Sequence, residues 1–175
     1  GYEQWAKIHN LKQAAKTYNF LTTHGIEQYG DLTAKIAEVQ AASGQAAEAL
    51  KDVEARLSDM AVLIKNITTY QKTKPSYDAY RKAKDRGSYR AAHERDIILH
   101  EAAVKAIKGA GISKLPDTAA LQAEYAKLQE RKETLYADYG KLKKQVKEYD
   151  VIKRNIDSIL RQPREPEQEK GKERE

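Results

Sequence analysis

Residues 32–71 read LTAKIAEVQAASGQAAEALKDVEARLSDMAVLIKNITTYQ, and their apolar side chains keep one spacing from end to end. Steps of four and three residues alternate without a break, which is the pattern of a coiled-coil seam. Gly44 marks a weak point inside the stretch rather than an end. We therefore predict a first long helix over residues 31–71, with Asp31 as its N-cap. The seam positions are Leu32, Ile36, Val39, Ser43, Ala46, Leu50, Val53, Leu57, Met60, Ile64, Ile67 and Gln71.

The same spacing returns in residues 117–161, which are predicted to form a second long helix. Pro116 and Asp117 mark its start, because proline is tolerated in a first turn and an acid favours the positive end of a helix. Lys132 and Lys153 occupy seam positions, where their stems can pack while their charges reach solvent. The second seam comprises Leu121, Tyr125, Leu128, Lys132, Leu135, Tyr139, Leu142, Val146, Tyr149, Lys153, Ile156 and Leu160.

Two long seams in one chain predict an all-α fold, a long antiparallel coiled-coil hairpin with an N-terminal helix and a small helical tip. A loop of about 45 residues costs only a few kcal/mol to close, so pairing within the chain is favoured. The alternative is that each helix pairs with another chain, which would make the protein a homodimer.

Residues 1–30 are predicted to hold the N-terminal helix and a connection. Apolar side chains recur there at steps of three and four, and Gly25 is well placed to end the helix. We expect this helix to pack, with Trp5 and Tyr18, at the end of the hairpin opposite the tip. Its apolar positions are Trp5, Ile8, Leu11, Ala15, Tyr18 and Leu21.

Residues 72–116 are predicted to form the tip. Pro75 can start a short helix, and Gly87 can start another that ends at a glycine, Gly109 or Gly111. Residues 162–175 are rich in Pro, Glu and Lys without a large apolar side chain, so we expect a disordered tail.

Composition excludes several classes of protein. Charged residues make up 33% of the chain and the mean hydropathy is −0.83, so much of the helical surface must face water. The absence of cysteine excludes disulfides, thiolate metal sites and a cysteine nucleophile. No apolar run reaches the roughly 18 residues of a membrane span, and the N-terminus does not look like a signal peptide. We expect a cytoplasmic protein without membrane contact, and Gly1 in place of Met suggests a segment of a longer chain.

The positive charge is concentrated in residues 72–95, which carry eight basic and three acidic side chains, a net charge of +5. Tyrosines interleave with these cations. Basic side chains neutralise phosphates and tyrosines can stack on bases, so this segment is the best candidate for a nucleic-acid surface. The alternative is a solvated or protein-contacting tip, with the tyrosines packed against the end of the coiled coil. The candidate DNA-binding residues are Lys72, Lys74, Arg81, Lys82, Lys84, Arg86, Arg90, Tyr77, Tyr80 and Tyr89.

Catalytic patterns are missing from the sequence. The histidines at 9, 24, 93 and 100 lack the spacing and third ligand of a helical zinc site. Neither a glycine-rich phosphate loop nor a nucleophile elbow occurs. We therefore predict no catalytic residue, no metal and no cofactor.

Three groups of residues, taken in order, carry a family resemblance. The first runs from Trp5 to Leu32 and includes WAKIHNLK and YGDL; the second is DIILHEAA at residues 96–103; the third runs from Lys114 to Asp157 and includes KLP and NID. Together they resemble the helical region downstream of the nuclease domain in bacterial relaxase and mobilisation proteins. The resemblance covers residues 2–160.

That resemblance implies a fragment of an enzyme that is itself non-catalytic. In the family, an upstream domain with a histidine-bound metal and a catalytic tyrosine nicks DNA for transfer, and this chain has no matching residues. The fragment would bind DNA through its basic tip, or would serve as an adaptor for relaxosome proteins or the coupling ATPase, or as a dimerisation arm. An unrelated structural coiled coil is the remaining alternative.

Overall fold

The structure of the chain, a computed structural model, describes residues 1–161 and contains five α-helices there, with no β-strand in that part of the chain. The all-α prediction is confirmed. The predicted disordered tail, residues 162–175, lies outside the described residues. The helices are α1 (Tyr2–Thr23), α2 (Tyr29–Lys82), α3 (Arg86–Ala92), α4 (Glu94–Gly109) and α5 (Thr118–Arg161).

The chain divides into two compact units, and both long helices contribute to each. Unit 1 consists of residues 1–45 together with the part of α5 that follows Asp138, and unit 2 consists of residues 46–138. In unit 1, Tyr29 bonds to Asp157 while the later residues Leu32 and Ile36 cluster with the earlier Tyr149 and Ile152; in unit 2, Glu54 pairs with Lys132 and Arg56 with Glu124. In each unit the segments of α2 and α5 are therefore antiparallel. The two seams thus meet inside one chain.

Unit 1 has a core in which α1, α2 and α5 meet. Leu32 is completely buried, and it shares a cluster with Ile36, Tyr149 and Ile152. Phe20 of α1 packs edge-on against Tyr149, with ring centroids 5.1 Å apart. Polar contacts fix the same packing: the Asn155 amide donates to the hydroxyl of buried Thr17 (3.1 Å), and the Tyr29 hydroxyl donates to Asp157 (2.8 Å).

The prediction for α1 holds for Leu21, which packs against the core of unit 1, and is wrong for most of the other stripe positions. Trp5, Leu11 and Tyr18 are 60%, 70% and 69% exposed, whereas the packed side of the helix carries Thr17 and Phe20. Periodicity locates an apolar stripe but does not say what covers it. Here Thr17 and Phe20 pack together with Leu21, the last position of the stripe, whereas Trp5 stacks on His9 of its own helix (5.1 Å).

The start of α2 differs from the prediction by two residues. The helix begins at Tyr29, so Asp31 lies in its first turn and is not its N-cap. The Asp31 carboxylate accepts a hydrogen bond from the backbone amide of Gln28 (3.3 Å). Asp31 therefore still accepts from a free backbone amide at the positive end of α2, although it lies in the first turn of that helix.

In unit 2, the cross-helix pairs give the register. Arg56 lies 3.3 Å from Glu124, Lys132 lies 3.6 Å from Glu54, and the Gln71 amide is 3.4 Å from the Thr118 hydroxyl. The seam is filled by Val53, Leu57 and Leu128, with Met60, Tyr125 and Leu135 packed around them.

Burial follows the predicted seams closely. Every seam position of α2 and α5 is buried or half-buried except the last one in each helix, Gln71 and Leu160, which are exposed. The glycine stop of α1 is also confirmed, because Gly25 adopts φ +63° and the amide of Ile26 bonds back to Leu21 (2.9 Å).

The prediction for the tip needs two corrections. Pro75 does not start a helix; it lies inside α2, which continues to Lys82. An internal proline costs roughly 3 kcal/mol, and packing of the helix around it outweighs that cost: Thr73 is buried and its hydroxyl donates to the carbonyl of Thr69 (2.7 Å). The helix expected from Gly87 is divided at His93 into α3 and α4.

Candidate nucleic-acid interface

The predicted site residues lie on three elements of unit 2: the last turns of α2, the short helix α3, and the segment between them. Asp85 caps α3 by accepting a hydrogen bond from the Ser88 amide (3.1 Å). The Ser76 hydroxyl donates to the carboxylate of Asp96 (3.2 Å) and so ties α2 to α4. These contacts hold the basic side chains on a defined scaffold.

His100 of α4 is the buried polar group at the centre of this scaffold. It is only 3% exposed and stacks between Tyr70 (4.8 Å) and Tyr77 (4.3 Å). Its Nδ1 lies 3.0 Å from the Thr73 hydroxyl. We assign the proton of this contact to Nδ1 of His100, because the Thr73 hydroxyl has a single hydrogen and lies 2.7 Å from the carbonyl of Thr69, which can only accept. Burial lowers the pKa of His100 and favours this neutral form.

Tyr77, Tyr80 and Tyr89 form a row of neighbouring rings, which are tilted against one another. Tyr77 and Tyr80 lie 5.9 Å apart, Tyr80 and Tyr89 lie 6.4 Å apart, and Tyr89 stacks on His93 (4.3 Å). All three tyrosines are half-buried. Tyr77 and Tyr89 each have one ring face stacked on a histidine, which leaves less ring surface for stacking on bases.

Two of the predicted cations hold the tip together. Arg90 forms a bidentate pair with Glu101 of α4 (3.0 and 3.1 Å) and lies over the ring of Tyr80 (5.9 Å). The hydrogen bond from Arg90 lowers the pKa of the Glu101 carboxyl. Arg86 donates to the carbonyl of Arg81 (3.1 Å) and so satisfies the C-terminal end of α2. These contacts commit both guanidinium groups within the protein.

The remaining cations divide by helix face. Lys74 and Arg81 are seven residues apart and differ by only about 20° around α2, whereas Lys72 lies about 160° from Lys74. The structure therefore does not bring Lys72 together with the others. Lys74 pairs with Asp78, and its hydrogen bond lowers the pKa of that carboxyl. Arg81, Lys82 and Lys84 are exposed and form no ion pair with the residues that the structure describes.

A cleft of about 320 Å³ opens between the end of α2, helix α4 and the segment after it. Its polar lining includes Lys74, Asp78, Arg81, His100 and Lys108, and its apolar lining includes Ile107, Ile112 and Leu115. Lys108 and His100 were not among the predicted site residues, since they lie more than 25 residues beyond Lys74 in sequence. The only sequence signal for them was the basic excess of the whole tip.

Within residues 1–161, no three side chains of His, Asp or Glu come close enough to hold a metal ion. None of the described helices has an apolar stretch suited to crossing a bilayer.

Comparison with protein-family models, curated proteins and solved structures gives no significant match. The relaxase resemblance therefore rests on the quoted residues alone and stays a prediction.

Proposed function

We propose that this chain is a non-catalytic helical DNA-binding region that supports DNA nicking and transfer by an upstream relaxase nuclease domain. The observation that carries the proposal is the group of exposed cations at the end of α2, in the segment after it and on α4, which we call the basic cluster. The basic cluster comprises Lys74, Arg81, Lys82, Lys84 and Lys108.

The charge balance around the basic cluster favours a polyanion. Residues 72–116 carry eleven basic and five acidic side chains, whereas residues 1–71 carry seven and eight. Exposed cations on a rigid scaffold neutralise phosphates and release counterions from DNA, which gives affinity without base recognition. The resemblance supplies the biological setting: a cytoplasmic complex that includes relaxosome or coupling proteins as further partners.

Charge reversal tests the proposal. We expect the triple variant R81E/K82E/K84E to lose most of its affinity for DNA, because three phosphate contacts become repulsive. The matched control is K141E/K144E/K147E, which reverses three exposed lysines of α5 and changes the net charge equally. Titration of a dye-labelled oligonucleotide gives both affinities. Equal losses in the two variants, or no DNA binding by the wild-type chain, would contradict the proposal.

A second candidate is an adaptor or dimerisation module without nucleic-acid contact. The exposed apolar stripe of α1, with Trp5, Ile8 and Leu11, favours it, because apolar side chains that cluster on one helix face commonly bind another surface. Sedimentation equilibrium over a range of concentrations tests self-association. The dimer hypothesis predicts that Leu11→Glu lowers the mass of the particle, and a wild-type monomer at every concentration would exclude it.

A further inference from the structure

We propose that the cleft between α2 and α4 binds a phosphate monoester, the group at the phosphorylated end of a nucleic-acid strand. This inference rests on the proposed DNA binding and names the part of the DNA that enters the cleft. The residues that would contact it are Lys74, Arg81, Lys108 and His100, all of which line one cavity.

The charge of the lining suits a phosphate. Three cations face one acid, Asp78, so the side chains contribute a net charge of +2. Helices α2 and α4 both end here, and each C-terminus contributes roughly half a negative charge. The carbonyl of Arg81 already accepts from Arg86, which reduces that contribution. A positive potential remains, and a doubly charged anion complements it.

His100 would allow the cleft to favour a terminal phosphate monoester over the internal phosphate diesters of a strand. Its Nδ1–H is committed to Thr73, so Nε2 carries a lone pair. With Nδ1 assigned to Thr73, Nε2 is the ring nitrogen left for a ligand, and His100 is among the residues that line the cleft. A monoester titrates near pH 6 and can share a proton with Nε2, whereas an internal diester has no proton to give.

The cavity size agrees with such a ligand. A volume of about 320 Å³ is at the lower end of the range for small-molecule sites. It offers room for a phosphate and part of its sugar. The apolar residues Ile107, Ile112 and Leu115 form the rest of the lining and would exclude water from the bound group.

Proton sharing makes the binding pH-dependent. Burial disfavours the protonated imidazole in the free protein, and a phosphate beside Nε2 would offset that penalty. Affinity for the monoester is therefore expected to rise as the pH falls from about 8 to about 6. The charged groups near the imidazole are Lys74, Asp78 and Arg81 from α2, and Glu101, Lys105 and Lys108 from α4.

The experiment compares oligonucleotides of one sequence that end in a phosphate or a hydroxyl at either terminus. With wild-type protein, one terminal phosphate should tighten binding about tenfold, the effect of a charge-assisted hydrogen bond. Lys108→Met should abolish the difference, while Lys127→Met, an exposed lysine of α5, should keep it. His100→Asn keeps a donor for Thr73 but has no atom at the Nε2 position, so it should remove the pH dependence.

Each outcome decides between the two proposals. Equal affinity for phosphate and hydroxyl ends overturns the cleft assignment and leaves DNA binding by the basic cluster intact. Failure of every oligonucleotide to bind overturns the proposed function. If inorganic phosphate binds calorimetrically while no oligonucleotide does, the cleft takes free phosphate and the strand-end assignment is wrong.

Discussion

At the scale of single residues, His100 shows how a buried imidazole can keep a hydrogen bond through one of its two ring nitrogens. Two tyrosine rings cover its faces, and Thr73 accepts the proton of Nδ1. The Thr73 hydroxyl in turn donates to the carbonyl of Thr69. This chain of donors fixes one tautomer, and the burial that accompanies it lowers the pKa of the imidazole.

The lowered pKa predicts a loss of stability in mild acid. The unfolded chain takes up a proton at the ordinary value of 6.5, whereas folded His100 stays neutral to lower pH. Its contribution to the free energy of unfolding is therefore present in full above the unfolded pKa and is lost as the pH falls towards the folded pKa. Chemical denaturation of wild type and His100→Asn between about pH 8 and 5 measures the effect, and parallel profiles for the two proteins would contradict it.

The contacts of Arg90 predict that it stabilises the candidate site without binding DNA. Because Glu101 already neutralises its guanidinium group, Arg90→Gln should leave the salt dependence of DNA binding unchanged. The same change should lower the melting temperature, since α3 loses its tie to α4. Arg81→Gln should do the opposite, reducing the salt dependence with little effect on melting. A reduced salt slope in the Arg90 variant would assign that residue to DNA contact instead.

At the scale of helices, each of the two long helices contains one internal glycine. Gly44 lies inside α2 and Gly140 inside α5, and a Cβ atom at either position would meet nothing within 4 Å. We expect Gly44→Ala and Gly140→Ala each to raise the free energy of unfolding by about 1 kcal/mol, because alanine restricts the unfolded chain and favours a helix.

Gly25 provides the matched control for these substitutions. It also has open space around it, but its φ of +63° strains any residue with a Cβ atom. Gly25→Ala should therefore lower the free energy of unfolding by about 1 kcal/mol. If all three alanine variants changed stability in the same direction, backbone conformation would not be the cause.

The elements also show where sequence patterns succeed and fail. The seams from Leu32 to Ile67 and from Leu121 to Ile156 could be predicted because an unbroken heptad spacing of this length suits a coiled coil and hardly any alternative fold. The position of Pro75 inside a helix could not be predicted. The packing that outweighs its cost involves Thr73 and α4, which is distant in sequence. The predicted packing of Trp5 was wrong for a related reason. Periodicity identifies an apolar face but not the surface that covers it.

For the candidate site, the sequence located the basic segment but not its arrangement. A cation count does not show that Arg86 and Arg90 are committed to internal contacts or that Lys72 faces away. Lys108 joins Lys74 and Arg81 only through folding. The local sequence shows where charged residues are concentrated, but the cleft forms only when α2 and α4 pack together.

At the scale of the whole molecule, the basic cluster predicts how strongly salt weakens DNA binding. Lys74 is already paired with Asp78, so four cations of the basic cluster remain to neutralise phosphates, and they give a slope of log affinity against log salt of roughly −2.8 on single-stranded DNA. The triple variant R81E/K82E/K84E should show a slope of roughly −0.7, since Lys108 is the one cation of these four that remains. Affinity measured at four or more salt concentrations gives both slopes, and a slope near zero for wild type would exclude phosphate contacts.

Trp5 has a practical consequence for anyone who measures this protein. It is the only tryptophan in the chain, and it lies exposed on α1, stacked on His9. Its intrinsic fluorescence already reports an aqueous environment in the folded state, so emission spectra will follow melting of the buried clusters poorly. The same indole would shift to shorter wavelengths when another surface covers α1, which makes it a built-in probe of complex formation.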